Sequence, residues 1–176
     1  MSPTPPSLIR DKLQNQFGSS IIKTEEEPLH KVFIATVESS KIREIIYFLY
    51  HDKDLPFTFL TSLFAVHFPE NKGRELEIVY LLHNLYTNTR MRIKAYIPIE
   101  NPRIDSVTPV FAAAGWMERE TYDFFGVLFN GHTDLRRILN VEDMNYFPMR
   151  KEYPLEEATR SDKDDTMFGR NYQNRG

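Results

Sequence analysis

Acidic and basic side chains are concentrated among bulky apolar residues in the segment 116–139. The segment carries the carboxylates Glu118, Glu120, Asp123 and Asp134 and the guanidinium groups of Arg119, Arg136 and Arg137. Carboxylates at helical spacing could form an acid/base pair or ligate a metal, and His132 follows closely enough to extend such a set. Charges this dense cannot all lie in water, so they must pair inside the protein or meet a partner's surface.

The spacing of these residues on a helix favours pairing inside the protein. On a helix over residues 116–127, Glu120 and Asp123 share one face, while Glu118 lies on another. Arg119 lies four residues before Asp123, and arginine forms bidentate pairs with carboxylates that tolerate partial burial. We therefore predict a structural network of ion pairs, with an interface or a metal site as the alternatives.

The glycines and the histidine of this segment fit no catalytic pattern. Gly126 and Gly131 belong to neither GxGxxG nor GxxxxGK[ST], so we predict a helix C-cap and a tight turn. His132 could act as a base or a ligand, although a lone histidine is more often a hydrogen-bonded structural residue. No serine lies in a GxSxG motif, and the sequence therefore yields no catalytic set.

Composition bounds the class of protein. A chain of 176 residues with 41% hydrophobic and 13% aromatic residues can fill the core of one domain and carry an extension. The net charge of −3 argues against a nucleic-acid-binding protein. The lack of cysteine excludes disulfides, thiolate catalysis and iron–sulfur ligation by this chain. Without a signal-peptide pattern or an apolar run near ~20 residues, we expect a soluble chain that reaches a membrane only through other proteins.

Periodicity predicts the elements that position the charged segment. Apolar residues at helical spacing predict one helix over 8–17, capped by Gly18, and a second over 42–49. Strands are predicted at 21–23 and 31–37, joined by an acidic turn at 25–28. The stretch 57–68, apolar on both faces, is typical of a central strand. Alternation over 76–82 and 91–97 predicts a hairpin with one polar face, acidic on one strand and basic on the other.

These elements indicate an α+β class: a two-layer domain with a mixed β-sheet and helices packed on it, plus an extended C-terminal arm. We place the domain at 1–139 and the arm at 140–176, which is too poor in apolar residues to fold alone. Pro148 stiffens the arm, and Arg150 and Lys151 could anchor it. The arm is either a frayed terminus or a strap across a neighbouring subunit, and composition does not decide between these.

Two blocks of the sequence resemble the pattern of the 30-kDa subunit of respiratory complex I, the C subunit of bacterial NADH:quinone oxidoreductase. The first block matches in register at Glu118, Arg119, Glu120, Asp123, Gly126, Val127, Phe129, Gly131, His132, Leu135, Arg136, Arg137, Ile138 and Leu139. The second matches at Pro148, Arg150, Lys151, Tyr153 and Pro154. The chain departs from the pattern at Thr133, where proline is usual, at Met144, where an aromatic is common, and at His67, where an acid is frequent.

The resemblance implies a cofactor-free structural subunit in the peripheral arm of the complex, with no catalytic, cofactor-binding or metal residues of its own. FMN, iron–sulfur clusters and quinone would lie in partner subunits, which pass electrons from NADH to quinone and couple this to proton translocation. The implied neighbours are the 49-kDa-type (D) subunit, wrapped by the arm, and the cluster-carrying B-type subunit. The implied location is the cytoplasmic face of the bacterial plasma membrane. The implied structural and interface residues are Glu118, Arg119, Glu120, Asp123, Gly126, Gly131, His132, Arg136, Arg137, Pro148, Arg150 and Lys151.

Three alternatives differ in class. The chain could be the equivalent subunit of a membrane-bound [NiFe]-hydrogenase-type complex, whose large subunits contain a related domain. It could be a free-standing enzyme with a metal or carboxylate site at Glu118, Glu120, Asp123 and His132. It could also be an assembly factor that leaves the complex once the complex matures.

Overall fold

Three helices and seven strands make up the part of the chain that the computed structural model describes, residues 5–29 and 32–153. Two short 3-10 turns, Gly18–Ser20 and Ser39–Lys41, precede the first strand and the second helix. The elements are, in chain order, α1 (Pro6–Phe17), β1 (Ile21–Glu27), β2 (Val32–Val37), α2 (Ile42–His51), β3 (Phe59–His67), β4 (Leu76–Asn84), β5 (Thr89–Ile97), β6 (Arg103–Asp105), α3 (Ala114–Phe125) and β7 (Leu128–Asn130).

Five of the strands form one mixed sheet in the order β1-β2-β5-β4-β3. Strands β3, β4 and β5 run antiparallel in sequence, and β1 and β2 form a second antiparallel pair. The two groups join through a parallel pairing of β2 with β5, in which Phe33 lies opposite Met91. Strands β6 and β7 form a separate parallel pair. This mixed sheet with helices confirms the predicted α+β class.

The hydrophobic core lies between the helices and one face of the sheet. Helix α2 buries Ile42, Ile45, Ile46 and Leu49, the residues whose spacing predicted it. Alternate residues of β4 and β5 are buried against the same core, as the period of two predicts. Each fully buried aliphatic side chain contributes roughly 1.5–3 kcal/mol relative to exposure. Helix α1 ends at Gly18, whose φ of 49° fits the predicted C-cap.

The structure corrects two predictions about strands. Strand β1 continues to Glu27, so the residues expected in an acidic turn are extended and pair with β2, where Glu27 lies opposite Val32. Strand β3 lies at the edge of the sheet rather than at its centre. The two faces of β3 have different environments. Leu60 and Leu63 on one face are buried, whereas Phe59 and Phe64 on the other face are exposed.

The polar face of the β4–β5 hairpin brings acid and base together at one position. Lys94 of β5 lies 3.1 Å from the buried carboxylate of Glu77 on β4, which also accepts a hydrogen bond from the Tyr96 hydroxyl. Burial and the hydrogen bond to Glu77 raise the pKa of Tyr96 to about 12. Glu75 does not pair with a base, because its carboxylate accepts the backbone N–H groups of Gly73 and Ile99 at 2.9 and 3.1 Å.

Candidate functional site

Helix α3 carries the first part of the charged segment and ends at Phe125, two residues before the end of the predicted helix and next to the predicted cap at Gly126. It begins at Ala114, two residues before the expected start at Trp116, and Gly126 caps it with φ of 77°. The Gly126 N–H donates to the Tyr122 carbonyl at 2.8 Å. A Cβ on Gly126 would lie 2.5 Å from the ring of Phe147, so this position requires glycine for the backbone turn and for the close approach of the later segment.

Asp123 is fully buried, with 0% of its surface exposed, and it is the centre of the network. One carboxylate oxygen, Oδ2, accepts the backbone N–H groups of Ile138, Leu139 and Asn140 at 3.0, 2.7 and 2.9 Å. The other, Oδ1, accepts Arg137 Nη1 at 2.8 Å. Burial alone would raise the pKa of Asp123, but these donors together hold it well below its usual range. Asp123 therefore carries a buried negative charge that shapes the loop at 138–140.

Arg137 connects α3 to the segment that follows this loop. Its Nη1 atom also donates to the Asp123 carbonyl at 2.9 Å, while Nη2 donates to the carbonyls of Met144 and Tyr146 at 2.6 and 2.8 Å. The guanidinium lies 5.1 Å from the centroid of the Phe147 ring. One side chain thus holds the helix, the loop and residues 144–147 in a fixed arrangement.

Glu118 is equally buried but has a different environment. Its Oε1 atom accepts the Val107 N–H at 2.7 Å, and Oε2 has no hydrogen-bond partner among the described residues. Burial raises the pKa of Glu118, and interactions with Ser106, Val107 and His132 offset this only in part. A raised pKa is expected of an acid held in the core without a cation bonded to it.

Of the remaining charges of the segment, Arg136, Asp134 and Glu120 lie at the surface, while the Arg119 side chain is only 11% exposed. Arg119 does not pair with Asp123; it donates to the carbonyls of Arg136 and Arg137 at 3.2 and 3.0 Å and lies over the Trp116 ring at 5.2 Å. Arg136 pairs with Asp134 at 3.1 Å, and both side chains are more than half exposed. The two consecutive arginines therefore differ, since only Arg137 reaches the buried carboxylate.

Glu120 corrects the prediction that it shares a face with Asp123. Glu120 is exposed, while Asp123 is fully buried. Residues three apart on a helix differ by about 60° in direction, which at the edge of a buried face separates core from solvent. The two carboxylates consequently do not form the acid/base or metal pair that their spacing permits.

His132 uses both ring nitrogens within the protein. Its Nε2 atom lies 3.0 Å from the Gly115 carbonyl, and the Asp134 N–H donates to Nδ1 at 3.0 Å. The imidazole therefore joins the start of α3 to the turn after β7. Gly131 forms that turn with φ of 85°, as the sequence predicts.

Residues after the loop return to the end of α3. The Arg150 Nε atom donates to the Phe125 carbonyl at 2.8 Å, and its guanidinium lies 4.7 Å from the Phe147 ring centroid. The Met149 N–H donates to the Phe124 carbonyl at 3.2 Å. These contacts satisfy carbonyls at the C-terminus of the helix, which a helix cannot satisfy internally.

His67, at the end of β3, makes a contact with the later segment that the sequence did not predict. The buried imidazole accepts the Lys151 N–H at 2.9 Å through Nδ1, and the Glu152 carboxylate lies 3.9 Å away. The half-buried Pro148 precedes this contact, and the Lys151 side chain is exposed. A departure from the family pattern at His67 was the only available signal, because the contact joins residues far apart in sequence. The rest of the arm, from residue 154, lies outside the described residues.

The described residues contain no group of metal ligands and no helix that could cross a membrane. Within residues 5–29 and 32–153, no three His, Asp or Glu side chains are grouped as metal ligands would be. No helix in the same ranges has the length and apolar content to cross a membrane. The charged residues of the segment instead bond to one another and to the backbone, which fixes the surface around them.

Comparison with known proteins gives a match over a range of residues that includes the charged segment. A family model described as the 30-kDa subunit of the respiratory-chain NADH dehydrogenase matches residues 35–159. This chain belongs to that family. The C subunit of the NADH-quinone oxidoreductase of Geobacter metallireducens is 37% identical over 145 residues, which cover 82% of this chain and 87% of that protein. The predicted resemblance is thereby confirmed.

Other members of the 30-kDa subunit family are longer. The corresponding proteins of a Nocardioides species and of Mycolicibacterium paratuberculosis are 44% and 36% identical to the chain over 59% and 77% of its length. The matches cover 42% and 55% of those proteins, so the chain spans about half the length of these relatives.

Solved structures share the fold. The trypsin-resistant fragment (1–134) of Nqo5 superposes with a TM-score of 0.60 at 26% identity, covering 72% of this chain and 98% of the fragment. A chain of the membrane-bound sulfane sulfur reductase, an archaeal respiratory membrane complex, superposes with a TM-score of 0.72 at 23% identity over 90% of this chain and 96% of that one. The second likeness concerns the fold alone.

Proposed function

We propose that this chain is a structural subunit of an NADH:quinone oxidoreductase and acts in catalysis only as part of the complex. Partner subunits would carry FMN, the iron–sulfur clusters and the quinone site, and their electron transfer would be coupled to proton translocation. The relatives are C subunits of NADH-quinone oxidoreductases, which supports this proposal. Family membership across residues 35–159 supports it as well.

The observation that carries the proposal is the buried Asp123–Arg137 pair. Its charges bond to the loop at 138–140 and to the carbonyls of residues 144 and 146. The loop so fixed presents apolar side chains to solvent, with Leu139 and Val141 65% and 64% exposed and Trp116 65% exposed nearby. Apolar side chains on a rigid, polar-braced surface are typical of protein–protein contacts.

We propose specific partners and a location for the chain on the basis of its resemblance to the family. We propose that the surface around residues 116 and 139–149 contacts the 49-kDa-type (D) subunit, and that the cluster-carrying B-type subunit lies close by. The arm from residue 140, including residues beyond the described ones, would extend over the D-type subunit. The complex would hold the chain at the cytoplasmic face of the plasma membrane. Deleting residues 155–176 should then weaken docking and leave the domain folded.

Affinity purification from gently solubilised membranes tests the proposal, with Arg137→Ala as the variant and Arg136→Ala as its matched control. Removing Arg137 strands a buried carboxylate, which costs about 3–5 kcal/mol, whereas the exposed Arg136–Asp134 pair contributes only ~0–1 kcal/mol. We expect Arg137→Ala to lower the amount of assembled complex, with NADH:quinone turnover per assembled complex unchanged. Arg136→Ala should behave as the wild type.

The identity of the co-purifying proteins separates the alternatives. Recovery with the B-type, D-type and flavin-bearing subunits supports the proposal. Recovery with nickel–iron hydrogenase subunits would assign the chain to that class of complex instead. Recovery only with immature complexes would indicate an assembly factor. Full assembly with selectively lost turnover in Arg137→Ala would contradict the structural role and return the acidic residues to consideration as a reaction site.

A further inference from the structure

The outer face of the sheet, opposite the helices, has a groove of about 500 Å³ at the end where β4 and β5 turn. Phe59 of β3 and Leu81 of β4 form an apolar part of its wall, and Arg90 and Arg92 of β5 form a basic part. Strand β1 contributes Glu27. The groove is separate from the α3 region described above.

Arg90 and Arg92 differ from the other cations on this face. They are two residues apart on β5, so their side chains project from the same side of the sheet about 7 Å apart. Lys94, the next cation on the strand, is paired with Glu77 at 3.1 Å, and Lys23 of β1 is paired with Glu25. Neither arginine has a carboxylate partner among residues 5–29 and 32–153. The Arg92 Nε–H is buried there without an acceptor.

Two guanidinium groups without an ion-pair partner among the described residues keep donors available for an acceptor from another molecule. Arginine presents donors in a planar fork that matches a carboxylate, so two adjacent unpaired arginines favour an acidic ligand. Phe59 adds an apolar contact, because its ring is 47% exposed beside the half-buried Leu81. An exposed ring on the edge strand β3, in the same groove as the guanidinium groups of β5, fits a peptide that carries both acidic and apolar side chains.

We infer that this groove binds an acidic segment of another subunit, with carboxylates on Arg90 and Arg92 and an apolar side chain against Phe59. The inference rests on the proposed function in so far as the chain works inside a larger assembly. It adds a second contact surface, on the opposite side of the sheet from the α3 region. The Coulombic part of the contact makes it weaker at high salt.

Site-specific photo-crosslinking in the assembled membrane complex tests the inference. A benzophenone amino acid replaces Phe59, and a control chain carries it at Tyr47, an exposed aromatic on α2. After irradiation, mass spectrometry identifies the linked peptide. We expect position 59 to link to a segment of another subunit with several Asp or Glu residues beside the link. The Tyr47 control should not link to that segment.

The charge requirement is tested by Arg90→Gln with Arg92→Gln in the same chain. Losing two charge-assisted contacts should lower the cross-link yield at position 59 by about tenfold. Arg103→Gln is the matched control, since Arg103 is an exposed arginine on β6. An unchanged yield in the double variant, a link to lipid, or a link to a segment without acidic residues would overturn the inference while leaving the proposed function standing. If the chain purifies alone, the proposed function fails and the inference fails with it.

Discussion

Helix α3 contains two buried carboxylates, Glu118 near its start and Asp123 near its end. Their pKa values are shifted in opposite directions. Both side chains are 0% exposed. Asp123 is surrounded by an arginine and three backbone N–H groups, which keep it ionised. Glu118 accepts one backbone N–H, at 2.7 Å, and burial raises its pKa.

The comparison shows that burial alone does not determine the charge of an acid. What decides it is the number of donors aimed at the oxygens. At Asp123 these donors come from the loop at 138–140, so the charge is the reason the loop has its shape. At Glu118 the single donor comes from Val107, and the carboxyl acts mainly as a buried hydrogen-bonding group.

The largest expected difference between Asp123 and Glu118 is in the free energy of unfolding after each is replaced by its amide. Asp123→Asn removes the charge and leaves Arg137 buried without its partner, so we expect a loss of about 3–5 kcal/mol in the free energy of unfolding. Glu118→Gln keeps an acceptor for Val107 and leaves no buried cation without its partner, so we expect a change below about 1 kcal/mol. Urea unfolding of the two variants measures both values. Equal losses would show that the two carboxylates have the same role.

Gly126→Ala should have the next largest effect on the free energy of unfolding. This variant tests whether the end of the helix that carries Asp123 depends on its packing against the segment that contains Phe147. Gly126 and Gly73 share a φ of 77°, but a Cβ meets nothing within 4 Å at Gly73 and meets the Phe147 ring at 2.5 Å at Gly126. Gly73→Ala therefore measures the backbone cost alone, about 1–2 kcal/mol.

The excess loss of Gly126→Ala over Gly73→Ala reports the contact with Phe147. We expect an excess of about 1–3 kcal/mol, the range for overpacking. Amide hydrogen exchange should also increase at 147–151 in Gly126→Ala and not in the control. If both alanine variants lose the same stability, the segment after the loop does not depend on its approach to the helix.

The pH dependence of stability should show the smallest effect, with opposite signs at the two sites. The lowered pKa of Asp123 stabilises the fold above its ordinary value of 3.8 and loses this contribution as the pH falls towards the folded-state pKa. The raised pKa of Glu118 gives a contribution that is complete below 4.5 and is lost as the pH rises through the folded-state pKa.

Thermal unfolding from pH 3 to pH 8 checks this. The stability difference between wild type and Asp123→Asn should shrink towards acid, and the advantage of wild type over Glu118→Gln should shrink towards neutral pH. Parallel profiles for the two variants would contradict the opposite pKa shifts of Asp123 and Glu118.

The sequence predicted those features that depend on local spacing. The α2 helix, the β4–β5 hairpin, the cap at Gly126 and the turn at Gly131 each follow from a pattern within a few residues. The sequence also predicted the family, because residues 118–139 match the family's pattern in register.

The features it did not predict depend on contacts between distant residues. Spacing could not tell which of the adjacent arginines turns inward, since Arg136 and Arg137 are chemically identical. It could not separate a central strand from an edge strand, because exposed Phe59 and Phe64 resemble buried residues in sequence. The Lys151–His67 bond joins positions too far apart for any local pattern. The division into a domain and an arm at residue 140 stays a prediction.

The parallel pairing of β2 with β5 has a consequence for how the chain folds as it is made. Phe33 cannot meet Met91 until the ribosome has added α2, β3, β4 and the start of β5. At ~5–20 residues per second, β1 and β2 wait roughly three to twelve seconds for the strand that completes their ladder. The β3–β5 meander closes only short turns, so it can form before β2 pairs with β5. The β1–β2 pair, although synthesised earlier, is then added to the edge of this meander. During that wait, β2 exposes an apolar edge to other nascent chains, a period in which chaperone binding would protect it.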